Sequence, residues 1–172
     1  TFFRYVDWIL TVPLMCVEFY LLTRLAGATK SLLWKLIFAS TWMLVCGYIG
    51  EAFNPGGIGS TTHSVTWGVL STLGYLYILH SVWLGEVAKL SDSSGSEVVK
   101  KGVRALAWFV LVGWAIYPIG YMCMDGGWLS GIMSPNKIDV WYNLADAINK
   151  IGFGLVVYSI AVAESCKESA KS

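Results

Sequence analysis

Five separate runs of predominantly apolar residues dominate this chain, at about 1–22, 33–53, 63–85, 103–124 and 139–163. Each has the length of about 20 residues at which an α-helix crosses the hydrocarbon of a bilayer. A backbone inside hydrocarbon has to satisfy its own N–H and C=O groups, so runs of this length predict helices. The expected fold class is an all-α membrane protein, one transmembrane domain over residues 1–172. Composition agrees: 56% of residues are hydrophobic and 13% are charged, with mean hydropathy +0.60, against a charged fraction of about 25% in soluble domains. A net charge of +1 gives no reason to expect a nucleic-acid partner; the partner implied is membrane lipid. There is no initiator Met and no cleavable signal pattern, and the chain opens almost directly in a span. It reads as a fragment, with earlier residues missing.

The connectors differ in character, and their Lys and Arg content sets the orientation. The first (23–32) and its flank carry Arg24, Lys30 and Lys35. The polar third connector (86–102) and its flank carry Lys89, Lys100, Lys101 and Arg104, and the tail carries Lys167 and Lys171. The second, a Gly-rich turn at 54–62, has no basic residue, and the fourth, at 125–138, has Lys137. Connectors one and three and the C-terminus are therefore expected in the cytoplasm, with the first span starting on the outer side.

Cys16, Cys46, Cys123 and Cys166 show no CxxC or His-paired spacing. They are read as small hydrophobes, and neither a metal site nor a disulfide framework is expected.

Charged groups inside the spans are the informative exceptions, because burying them in hydrocarbon is expensive. They are Arg4, Asp7, Glu18, Glu51, Asp146 and Lys150. At about 100° per residue, Arg4, Asp7, Thr11 and Glu18 share one face of the first helix, with Asp7 and Glu18 about 16 Å apart along its axis. Either Arg4 and Asp7 snorkel at the outer interface, or this face lines a path. In the last span Asp146 and Lys150 stand at i and i+4 and meet on one face near mid-membrane. A lysine there is either half of a structural ion pair or an amine that desolvation turns into a nucleophile toward carbonyls. In the fourth span, WAIYPIGY puts Trp114, Tyr117, Pro118 and Tyr121 on one face, as packing or as a ligand wall. Pro118 is expected to kink that helix.

Taken together, RYVDWILTVPLMCVE, WAIYPIGY and LADAINKIGFG resemble the third, sixth and seventh helices of the microbial (type 1) rhodopsins, closest to the bacterial proteorhodopsins. The resemblance runs over essentially the whole chain, in order, and implies five helices of a seven-helix retinal-binding bundle whose first two are absent. It implies all-trans-retinal held on Lys150 as a protonated Schiff base, with Asp7 as primary counterion and proton acceptor and Asp146 as second counterion. Glu18 matches the cytoplasmic donor, Thr11 completes the Asp-Thr-Glu pattern of outward proton pumps, and Arg4 matches the arginine beside the counterions. Trp8, Trp114, Tyr117, Pro118 and Tyr121 match the wall around the polyene, and Ser71 and Thr72 the ring end. Met15 falls at a colour-tuning position, where an apolar residue goes with green absorption. Glu51 matches a carboxylate near the pocket with no role in the transfers.

The resemblance therefore implies a light-driven outward proton pump in the bacterial inner membrane, with protons as cargo. It is a transporter and not a conventional enzyme. The Schiff base would lose its proton to Asp7 and regain one from Glu18. A homo-oligomer, pentamer or hexamer, is the implied assembly. The histidine that pairs with the acceptor belongs to an absent helix, and His63 and His80 are not substitutes for it. The paired acids of the haloarchaeal release site have no counterpart in 125–139. The alternative within the same fold is a sensory rhodopsin signalling through a partner protein, against which the donor Glu18 speaks. A secondary transporter using Asp146 and Lys150 as an ion pair is the alternative from another class, and it predicts no visible colour.

Overall fold

The computed structural model describes residues 2–53, 61–124, 129, 131–132 and 135–170. Among these, every regular element is helical: α1 (Phe2–Thr23), α2 (Lys30–Ala52), α3 (Thr61–Trp83), α4 (Glu86–Ser93), α5 (Glu97–Trp108), α6 (Ile116–Cys123) and α7 (Pro135–Ser169). Five helical stretches among the described residues are long and apolar enough to cross a membrane: Phe2–Ala26, Lys30–Ala52, Thr62–Ser93, Glu97–Cys123 and Lys137–Cys166. The expected Gly-rich turn at 54–62 lies largely, and the connector at 125–138 half, outside the described residues.

The ends of the helices follow from local chemistry. α1 tightens into a 3₁₀ turn at Arg24–Ala26 and stops at Gly27, whose φ of 102° suits a residue without Cβ. Thr29 then caps α2, its hydroxyl accepting from Leu32 N at 3.3 Å. Ser96 does the same for α5, accepting from Val99 N at 3.4 Å.

The stretch 86–102, expected as a polar connector, is mostly helical instead. Its charges occupy one side of a helical repeat, while Val99, Gly102, Val103, Leu106 and Ala107 form a buried stripe at helical spacing. Only the Ser/Gly-rich link between α4 and α5 breaks it. Next to Pro118 the helix is interrupted over residues 109–115, just before α6 begins at Ile116. The irregular segment is a π-turn at Phe109–Gly113, closed by Trp114 N donating to Phe109 O at 3.0 Å. It sits about one turn before the proline, whose ring crowds the carbonyl four residues earlier.

Neighbours in sequence are mostly neighbours in space. α1 packs on α2, α2 on α3, α3 on α5 and α6, and both of those on α7. Two apolar clusters result. The larger, around Phe19, Leu36, Ile78, Leu106 and Phe153, fills the half toward the basic connectors. The smaller gathers Trp8, Leu44, Cys123, Ile138 and Tyr142 in the opposite half. Large apolar side chains such as Trp34, Phe38 and Leu73 point outward from α2 and α3, as expected of surfaces whose solvent is lipid.

Phe19 is fully buried, and its ring meets that of Phe153 edge-on at 5.6 Å between centroids. Phe19→Ala leaves a cavity there and should cost about 3–5 kcal/mol of stability. Detergent-titrated unfolding of the full-length protein measures it; a loss below about 1 kcal/mol would mean that this cluster repacks freely.

Candidate functional site

Lys150 stands in the middle of α7, and its Nζ forms an ion pair with Asp7 Oδ2 of α1. Asp146 Oδ2, one turn earlier on α7, lies 3.8 Å from the same nitrogen. The two carboxylates differ in how they are held. Trp8 Nε1 donates to both oxygens of Asp146, at 3.1 Å each, and the Tyr117 hydroxyl donates to Oδ1 at 2.6 Å. Asp146 is thus locked by donors from two other segments, whereas Asp7 Oδ2 engages the amine directly.

Beside this charged group lies a cavity of ≈ 330 Å³, with Lys150, Asp146 and Asn149 at one part of its wall. α1 contributes Trp8 and Met15; α2 contributes Met43 and Gly47. From α3 come Ser71, Thr72 and Tyr75, and from the α5–α6 segment Trp114, Tyr117, Pro118 and Tyr121. The polar atoms of several lining residues are already committed to backbone. Ser71 Oγ donates to Met43 O at 2.6 Å, Thr72 Oγ1 to Gly68 O at 2.8 Å, and Tyr121 OH to Ser64 O at 2.7 Å. What they present to the cavity is chiefly carbon.

The remaining sequence candidates sit around this centre. Arg4 turns away from Asp7: it pairs with Glu51 of α2 and, at 2.5 Å, with Asp139 of α7. Its guanidinium also stands 4.6 Å from the Tyr142 ring centroid and 5.5 Å from that of Trp8. Glu51, expected near the pocket, is therefore the partner of Arg4. The Thr11 hydroxyl donates to Asp7 O at 3.0 Å and so bonds back onto its own helix. Glu18, farther along α1, has a buried Oε2 without a hydrogen-bond partner among the described residues. Side chains at the site that escaped the sequence reading include Asn149, Tyr75, Tyr142 and Met43. Asn149 carried a usable signal, a polar amide in the middle of a span beside Lys150, where an unpaired amide is costly.

The family described as bacteriorhodopsin-like protein matches residues 1–163. The green-light absorbing proteorhodopsin of Gamma-proteobacterium EBAC31A08 is 40% identical over 172 residues, an alignment that takes in 96% of this chain and 63% of that protein. The chain thus spans less than two thirds of the length of this curated relative. Among solved structures, the rhodopsin of Exiguobacterium sibiricum superposes with a TM-score of 0.81 at 31% identity, covering 95% of this chain and 71% of the other. Xanthorhodopsin, described as a light-driven ion pump with dual chromophore, does so with a TM-score of 0.74 at 32% identity, covering 96% of this chain and 64% of its own. On the family match and the shared bundle, this chain belongs to the bacteriorhodopsin-like family of multi-pass membrane proteins.

Proposed function

We propose that this chain forms the retinal-binding and proton-moving part of a light-driven outward proton pump of a bacterial inner membrane. The observation that carries the reading is the position of Lys150 Nζ, set between Asp7 and Asp146 at the wall of an apolar cavity. That cavity suits a polyene aldehyde. Its walls are aromatic rings and aliphatic chains, the aldehyde-reactive amine stands in the wall, and carboxylates flank the amine to balance a cation. Residues Trp8, Met15, Ser71, Thr72, Trp114, Tyr117, Pro118 and Tyr121 are the contact surface. Bound through Lys150, retinal supplies absorption of visible light and a photoisomerisation whose energy the protein can use.

The chain's own groups then have distinct tasks. Lys150 Nζ holds the proton that is to move, and its contact with Asp7 Oδ2 makes that carboxylate the outward acceptor. Asp146, fixed by Trp8 and Tyr117, stays beside the amine as its second counterion. Glu18 lies toward the basic, cytoplasmic connectors, and its unpartnered buried oxygen suits a carboxyl that carries a proton in reserve. It returns a proton to Nζ and refills from the cytoplasm. Thr11 braces the helix at Asp7. Arg4, tied to Glu51 and Asp139, places a cation on the outer side of the acceptor. Each proton moved outward works against about 2.3 kcal/mol per 100 mV of membrane potential.

The test is to make the full-length protein in cells given all-trans-retinal. Visible colour with light-induced, uncoupler-sensitive acidification of the medium is the expected result. Colour without acidification would replace the pump by a sensor, and absence of colour would remove both. The donor role has its own check. Glu18→Gln should leave colour nearly intact and slow recovery of the absorbance after a flash by about 100-fold, the worth of a positioned general acid. Recovery at the wild-type rate would exclude Glu18 as donor.

A further inference from the structure

The π-turn at Phe109–Gly113 leaves backbone carbonyls without their regular helical partners, and the structure shows what satisfies them. The Tyr75 hydroxyl of α3 lies 3.0 Å from both Val110 O and Leu111 O. Asn149 Nδ2 of α7 donates to Gly113 O at 3.0 Å. Gly113 is required for that approach, because a Cβ on it would run into Asn149 Oδ1. Such turns inside a helix recur at functional positions, where they allow bending that a regular helix resists.

The carboxamide nitrogen of Asn149 has two hydrogens to give, and the second leads to the charged site. It points to the Tyr117 hydroxyl at 3.3 Å, which in turn donates to Asp146 Oδ1 at 2.6 Å. One buried side chain, only 4% exposed, therefore joins the carbonyl of Gly113 to a carboxylate that lies 3.8 Å from Lys150 Nζ.

We infer that Asn149 is a positioning residue that couples the charge on the Lys150–Asp7–Asp146 group to a hinge at Phe109–Gly113. When that charge changes, the pull of Asp146 on the Tyr117 hydroxyl changes with it. The two donations of the Asn149 amide readjust together, and α5 gains or loses freedom to pivot against α6. Trp114 and Tyr117 stand just after the hinge and line the cavity, so the same movement reshapes its wall. The inference rests on Lys150–Asp7–Asp146 being the group whose charge moves, but its test needs neither light nor transport.

Backbone amide deuterium exchange over 109–119, in the full-length protein in lipid nanodiscs kept dark, reads the hinge. Asn149→Asp keeps the shape and removes the donor, and should speed exchange there by about three- to tenfold, the worth of one hydrogen bond, with α2 unchanged. Gly113→Ala, which displaces the amide from the other side, should do the same, so a folding failure of one variant leaves the other to decide. Asp146→Asn should also loosen the segment, and this effect should vanish when Asn149 is already Asp or Ala. Unchanged exchange in the first two variants, or additive effects in the double variant, would overturn the coupling even in a protein that pumps.

Discussion

Lys150→Ala is expected to give a full-length protein without visible absorbance, however much all-trans-retinal is supplied. The cavity wall holds one lysine among the described residues, and its amine is the group there able to condense with an aldehyde. Removing it also leaves Asp7 and Asp146 beside each other without the cation that both now face, which puts two like charges together. Loss of colour could then reflect loss of fold, so the measurement is colour per folded protein, with Lys150→Arg as companion. Arginine keeps a cation beside both carboxylates but has no amine that forms an imine, and it too should be colourless. Visible absorbance in either folded variant would remove Lys150 as the attachment point.

The sequence discloses the spans because hydrocarbon imposes one rule on every stretch of backbone, and twenty apolar residues satisfy it wherever they stand. The helical character of 86–102 was harder to see, since polarity marked it as connector, while the buried stripe that Val99 and Gly102 begin runs on into the span read from 103. The π-turn could not be read locally at all. Its sequence, FVLVG, is unremarkable, and its carbonyls are satisfied by Tyr75 and Asn149 from helices distant in the chain. At the site, the i, i+4 pair Asp146 and Lys150 was legible within one helix. The meeting of Lys150 with Asp7, by contrast, joins residues 143 positions apart, which no periodicity contains; the family resemblance suggested it. The shared face of α1 was legible as well, yet its members part company. Arg4 is long enough to leave that face for Glu51 and Asp139, while the shorter Asp7 stays with the amine.

That division decides what Asp7→Asn should do. The substitution keeps the size of the side chain and an oxygen that can accept from Nζ, but it cannot take up a proton. Asp146 remains 3.8 Å from the amine to balance its charge, so pigment still forms. Light-driven acidification should nevertheless fall by about 100-fold or more, the scale on which a positioned proton acceptor contributes. Asp146 is less well placed to substitute, since it lies farther from the amine than Asp7 and both its oxygens are already engaged by Trp8 and Tyr117. Asp7→Glu restores a carboxylate one methylene farther out and should return part of the acidification at a lower rate. The measurements are initial pH change under saturating light, normalised to pigment, with an uncoupler control. If the Asn variant pumps at the wild-type rate, the proton leaves Lys150 by another acceptor, and Asp146→Asn then tests whether the locked carboxylate is that acceptor.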